Sequence, residues 1–335
     1  MSFLFGLYPG GAAGNDAGGL AAGVPDEPAS VQAALDELQG EASLPFLVRC
    51  YAKFSDATGS EQTDIAAPAG GRQYAIHGRM LDLVLLYQSL SGDLAGYEAF
   101  VRNAVARYGA ITRTLQITEE PNVTGNPMLD GFYPEVRRAI VAGVQAARAE
   151  ARRLGLEHLR IGTNTTPLFG PSAGFYTELI KIGGQSLIEG LDYIGLDMFP
   201  GVFRPIGAGT VRTATAGLLR YHRDQVLAPA GLGHLPLHIT EHGWPTGPDR
   251  TPQQQAEVVR DVIETVLELQ EPLQIGAYEL FSLRDAASGN PDLFHQFGIM
   301  TDAYVPKPAY GVFKQLIHES ARKPPGSRGG ESRSR

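Results

Sequence analysis

One cysteine, Cys50, stands in a chain of 335 residues. A single thiol rules out an intrachain disulfide framework and suits a reducing compartment. No stretch approaches the roughly 18 consecutive apolar residues of a membrane-spanning helix. The opening Met1-Ser-Phe-Leu-Phe-Gly-Leu-Tyr8 has neither the basic nor the apolar region of a secretory leader. These absences predict a cytoplasmic protein, with secretion left open for a chain already relieved of a leader. Clusters of Lys and Arg are also missing outside the last fifteen residues, and the formal net charge is -8. Such a chain repels phosphate backbones and anionic surfaces, so neither nucleic acid nor membrane is expected as a partner.

What is present is ample material for a core. The sequence is 43% hydrophobic and 19% charged, and apolar runs of strand length alternate with segments of helical period. Eight strands are expected, at Phe3 to Tyr8, Phe46 to Tyr51, Leu81 to Tyr87, Thr112 to Thr118, His158 to Thr163, Tyr193 to Phe199, Leu235 to Thr240 and Ile275 to Ser282. Between them, Val31, Ala34, Leu35 and Leu38 form a helical stripe behind a Ser30 cap, and Leu94 to Tyr108 another that stops at Gly109. Val136 to Ala151 makes a longer stripe that ends near Gly155. Thr251-Pro-Gln-Gln254 carries an N-cap, a first-turn proline and a capping-box glutamine. Eight β/α units in one domain predict a closed (β/α)8 TIM barrel spanning residues 1–320, with 321–335 a disordered tail too polar and Gly-rich to bury anything.

The second unit breaks the pattern. Ser55 to His77 has no helical stripe, only Gly, Ala, Pro and polar residues, and a connection this long is either surface decoration or a lid at the C-terminal rim. Tyr8-Pro-Gly-Gly-Ala-Ala-Gly14 is glycine-rich, but no Lys or helix cap follows in phosphate-loop order, so it reads as the first barrel loop.

Chemistry concentrates at two strand ends. Leu115-Gln-Ile-Thr-Glu-Glu-Pro-Asn122 and Leu235-Pro-Leu-His-Ile-Thr-Glu-His-Gly-Trp-Pro-Thr246 each deliver a carboxylate to the C-terminal end of an apolar strand. That is the end where barrel enzymes carry their sites. Two carboxylates are the minimum equipment for cleaving a glycosidic bond, because one must protonate the departing oxygen while the other attacks or activates water. The spelling His238-Ile-Thr-Glu-His242 imitates a zinc motif, but Pro236 and Gly243-Trp-Pro245 force a strand and turn where that motif needs a helix. No metal and no cofactor is expected.

Thr118-Glu-Glu-Pro-Asn122 and Ile239-Thr-Glu-His-Gly-Trp-Pro245 resemble the strand-four and strand-seven motifs of the clan A retaining glycoside hydrolases. Arg49 near the end of strand two, Phe281-Ser-Leu-Arg-Asp285, Phe297-Gly-Ile299 and Lys307-Pro-Ala-Tyr310 extend that resemblance over the whole domain. It implies Glu120 as acid/base and Glu241 as nucleophile of a retaining enzyme acting on a β-linked glycoside or oligosaccharide. Arg49 is then the cation that keeps Glu241 ionised. Glu119 departs from the pattern, since the clan usually has an asparagine there to meet the sugar 2-hydroxyl. Further substrate contacts are expected from Asn122, Asn164, Asp197, Phe199, His242 and Trp244, with Phe281 where the clan commonly places a tryptophan. Arg284 and Asp285 are open to pairing with each other. Two other readings stay open: a barrel repurposed for biosynthetic tailoring such as transglycosylation, and a non-catalytic sugar-binding barrel. The oligomeric state is not legible.

Overall fold

The computed structural model describes residues 3–41, 44–206 and 210–322. Eight parallel strands follow one another around a closed barrel. They are β1 (Leu4–Tyr8), β2 (Phe46–Ser55), β3 (Arg79–Gln88), β4 (Thr112–Ile117), β5 (Arg160–Thr165), β6 (Tyr193–Asp197), β7 (Leu237–His242) and β8 (Ile275–Phe281). Each pairs with its sequence neighbours, and β1 pairs with both β2 and β8, which closes the ring. The chain is thus a single-domain TIM barrel, and all eight predicted strands are present with ends shifted by at most a few residues.

Among the described residues seven α-helices cover the outside: α1 (Pro28–Gln39), α2 (Leu94–Tyr108), α3 (Val136–Arg153), α4 (Phe175–Gly190), α5 (Val211–Tyr221), α6 (Pro252–Glu268) and α7 (Pro308–Arg322). Thr251 caps α6, with Gln254 closing the capping box. At α1 the cap is Glu27, whose carboxylate accepts from Ser30 N at 2.6 Å; Ser30 itself lies in the first turn. Pro28 moves the start upstream because its missing N–H costs nothing at a first-turn position. The last helix takes in Ala321 and Arg322, and the remainder of the expected tail, 323–335, lies outside the described residues.

No helix joins β2 to β3. In its place Ile65–Ala67 runs antiparallel along the upper part of β2, where β1 has already ended, and a 3-10 turn follows at Gly71–Tyr74. Ile65, Gly71 and Tyr74 are buried, and a Cβ at Gly71 would meet Cys50 Sγ at 2.6 Å, so only glycine lets the turn sit down on β2. The segment is also tied at its margins. Asp56 accepts from Leu90 N and Ser91 N at 2.9 and 3.0 Å, Asn103 donates to Ser60 O at 3.1 Å, and Arg107 pairs with Asp64 at 2.7 Å. It therefore stands in for the missing helix as a cover of the barrel wall.

Candidate active site

Alternation along the strands turns Arg49 and Tyr51 of β2, Asp82 of β3, Gln116 of β4, Asn164 of β5, Asp197 of β6 and Glu279 of β8 toward the barrel interior. Arg49 and Asp82 are cross-strand partners in the β2–β3 ladder, and Glu241 and Asp197 in the β6–β7 ladder. Glu241 reaches the interior by an irregularity. The β7 register slips after Ile239 against both neighbours, so Thr240, which donates to Asp197 at 2.6 Å, and Glu241 both face inward although they are consecutive.

A second irregularity presents Glu119 and Glu120. Thr118 and Glu120 have φ of 68° and 42°, a left-handed backbone that costs roughly 1–3 kcal/mol per residue and persists only where the surroundings enforce it. They do so here. Thr118 N donates to Leu85 O at 3.1 Å, Glu119 N to the carboxylate of buried Asp130 at 2.8 Å, Asp130 N to Glu119 O at 3.0 Å, and Glu120 N to Asn164 Oδ1 at 3.0 Å. Asp130 also accepts from Tyr87 N at 2.8 Å, so one carboxylate clamps the acid-bearing turn to β3.

Arg49, 1% exposed, is the hub. Its Nε donates to Tyr51 Oη at 2.7 Å and to Glu241 Oε1 at 3.1 Å, Nη1 to Asp82 at 2.5 Å, and Nη2 to Glu119 Oε2 at 3.0 Å. Tyr51 Oη donates a short hydrogen bond to the same oxygen of Glu241. Glu119 Oε2 also accepts from Gln116 at 2.7 Å, and Oε1 from Asn164 at 3.3 Å. Asn164 donates a short bond to Asp197 as well.

Six carboxyls, those of Asp82, Glu119, Glu120, Asp197, Glu241 and Glu279, thus crowd within the field of this one guanidinium. Burial and mutual repulsion favour the neutral forms of Glu119, Glu120, Asp197, Glu241 and Glu279. Glu120 is held well above the ordinary carboxylate range by burial, then by Glu119 and Glu241. Glu119 is raised by burial and by Asp197, and Asp197 by burial and by Glu241. Glu241 is pushed up to about 7 by burial and by Glu119, against the opposing pull of Arg49 and Tyr51. This departs from the expectation that Arg49 keeps Glu241 ionised, because the cation is shared with Asp82 and Glu119. Oxygens of Glu119, Glu120 and Asp197 lie within 4.8 Å of one another, close enough for a cation to bridge them.

The remaining expected contacts fall in different places. Phe281 is half-buried and stacks on Tyr8, centroids 5.0 Å apart and planes 7° apart. Phe199 and Trp244 are partly exposed on neighbouring rim loops, and Arg250 sits 5.1 Å over the Trp244 ring. Asn122 accepts from Thr166 N at 3.0 Å and donates to Thr166 Oγ1 at 2.7 Å, tying the loop after β4 to that after β5. His242 is turned away altogether. Its Nδ1 bonds Tyr278 Oη at 2.6 Å in the layer between strands and helices, where Tyr278 packs on Phe5 and Phe313. The zinc-like spelling lies on β7 as a strand, with His238 stacked on Tyr193 at 4.3 Å. Arg284 and Asp285 do not form an ion pair together: Arg284 pairs with Asp26 at 2.6 Å and Asp285 with Lys307 at 2.7 Å.

Tyr51, Asp82, Gln116, Asp130 and Glu279 escaped the sequence reading. Asp82 in Leu81-Asp-Leu-Val-Leu-Leu-Tyr87 and Glu279 in Ala277-Tyr-Glu-Leu-Phe281 carried a usable signal, since a charge inside an apolar strand has to find a buried partner. Tyr51 is two residues from Arg49 and so on the same face.

No family model and no curated protein matches the sequence. Solved structures do. The chain is similar to a glucosidase from Croceicoccus marinus at a TM-score of 0.63 and 15% identity, over 96% of this chain and 71% of that one. It is also similar to a monomeric β-xylosidase from Caulobacter crescentus CB15, at 0.54 and 18%, over 94% and 71%. A family 39 glycoside hydrolase from the gut symbiont Bacteroides cellulosilyticus WH2 follows at 0.58 and 13%; the chain is covered to 94% and spans 63% of that protein's length. At such identities the likeness is one of fold, a (β/α)8 barrel shared with several kinds of glycoside hydrolase. No helix among the described residues is long and apolar enough to cross a membrane.

Proposed function

We propose that the chain is a retaining glycoside hydrolase acting on β-linked glycosides, with Glu120 as acid/base and Glu241 as nucleophile. The observation that carries this reading is the placement of two glutamates at the C-terminal ends of β4 and β7 in one buried acidic cluster, with unequal environments. Glu120 has no cation within hydrogen-bond reach among the described residues and its pKa is raised by burial, whereas Glu241 receives both Arg49 and Tyr51 on Oε1. Environments that push two carboxyls apart in this way assign acid and base roles.

In the first step the Glu120 proton passes to the departing glycosidic oxygen while a Glu241 oxygen bonds to the anomeric carbon. With Oε1 engaged by its two donors, Oε2 is the attacking atom. Glu120, now a carboxylate, takes a proton from water as that water attacks the anomeric carbon and releases Glu241, so the anomeric configuration is retained. Glu119 stands at the position expected to meet the 2-substituent.

The test is hydrolysis of aryl β-glycosides followed by NMR of the first-formed anomer. Retention with loss of turnover in Glu241→Gln supports the reading. An inverted product, or undiminished turnover in that variant, overturns it. Transfer to added alcohol acceptors in preference to water would favour the tailoring variant of the same chemistry.

A further inference from the structure

The rings around the nucleophile form a continuous series that leaves the barrel. Tyr51, bonded to Glu241, meets Tyr8 at 5.5 Å, and Tyr8 stacks on Phe281 at 5.0 Å. From Phe281 the contacts run to Phe297 at 5.8 Å and on to Phe199 at 5.8 Å. Phe199 meets Phe203 at 5.5 Å, and Phe294 closes the group against Phe203 at 5.9 Å and Phe297 at 6.2 Å. The series starts beside the acids and ends in solvent at Phe203, which is 49% exposed. Phe297 also lies against Gly243, two residues past Glu241, where a Cβ would come within 2.9 Å of its ring.

The loops that carry these rings are stitched together. Arg250 donates to Gly201 O and Val202 O at 3.3 Å, which joins the loop after β6 to that after β7. Gln255 bridges Trp244 O at 2.9 Å and Gly298 O at 3.0 Å, and Thr246 N donates to Gln296 O at 3.0 Å, which joins the loops after β7 and β8. The wall is therefore built before any ligand arrives. Beyond Tyr8 its five rings are all phenyl, so none brings a hydroxyl or N–H. The inner end is the reverse, with Arg49, Tyr51, Glu119 and Asp197 crowded together.

We infer that the Phe281–Phe199–Phe294–Phe203 wall, packed on buried Phe297, is a leaving-group subsite for a flat, apolar aglycone, so that the substrate class is an aryl or similarly apolar glycoside. The inference rests on the glycosidase reading for the position of the leaving group. Sugar hydroxyls need the donors and acceptors at the inner end, and the portion released past the scissile bond then extends outward along rings that reward only apolar surface.

The test measures binding apart from turnover. Titration calorimetry with phenol and with 2-naphthol on the wild-type chain and on Glu241→Gln is expected to show 2-naphthol binding about tenfold more tightly in both, because the second ring adds buried apolar area. Phe203→Ser, at a half-exposed loop position, should abolish that advantage, and Phe203→Trp should keep it. Equal affinities for the two phenols, no binding of either, or an unchanged ratio in Phe203→Ser would overturn the subsite. Naphthol binding that depends on Phe203 in a chain that cleaves no aryl glycoside would leave the subsite standing and remove the glycosidase reading. Cleavage of aryl glycosides with no naphthol preference would do the opposite.

Discussion

Arg49 Nε donates to Glu241 Oε1 over 3.1 Å and across 192 residues of chain, yet the same guanidinium holds Asp82 and Glu119. One positive charge neutralises at most one of these carboxylates. The nucleophile candidate is therefore left near the middle of its titration at neutral pH, and the pH profile, not a single rate, is the informative measurement.

Glu119 is the second-largest cause of the rise at both Glu120 and Glu241, after burial. Replacing it with the neutral amide in Glu119→Asn should move the acid limb of the kcat/KM profile to lower pH and shift preference toward ordinary 2-hydroxy glycosides. A profile and preference both unmoved would show that Glu119 has no hold on the site.

Glu241 in the fold titrates at about 7 against an ordinary 4.5, so the folded chain holds this proton more tightly than the unfolded one. Its contribution favours folding below about pH 4.5 and is lost as pH climbs through 7. Glu241→Gln removes that loss. Its stability relative to wild type should rise from pH 4.5 to pH 8, by up to about 3 kcal/mol if the full shift acts. Urea melts at the two pH values measure it, and a difference that shrinks with rising pH would contradict the assignment.

Arg49→Met should destabilise the chain by about 3–5 kcal/mol, because it strands buried carboxylates without a partner. The loss should be smaller at pH 4 than at pH 8, since protonation relieves the stranded charges. Denaturant midpoints at the two pH values report this directly.

Leaving groups separate the two glutamates. Glu120→Ala should slow glycosides with poor leaving groups far more than activated aryl glycosides, since an activated phenolate departs without a proton. Azide should restore part of the rate, attacking the glycosyl intermediate without needing a base. Equal losses across leaving groups would remove Glu120 from the acid role.

Much of this barrel was legible in the chain because the apolar runs are strand-length and the interruptions carry Gly, Pro and capping residues. Glu119, Glu120 and Glu241 could be singled out because turns mark their strand ends, whereas Arg49, which lies inside β2, was reached only through the resemblance to clan A. What alternation could not give was the slip in β7 that turns Thr240 and Glu241 to one side, or the left-handed residues around Glu119. Both involve partners outside the strand itself, Asp197 and Asp130. His242 was expected at the substrate, and the strand sends it to the opposite face, onto Tyr278. Asn122 lies two residues from Glu120 and is taken up by Thr166.

The wall of β2 behind Arg49 has a short strand and a turn where its neighbours have a helix, and the chain's single thiol lies under that patch with Gly71 against it. Cys50 can meet a thiol reagent only when the turn lifts, and burial holds its thiol in the unreactive protonated form until then. Its labelling rate is thus a clock for the local opening of this one panel. Compared with the rate of global unfolding, it would tell whether the strand that carries Arg49 and Tyr51 breathes independently of the remainder of the barrel.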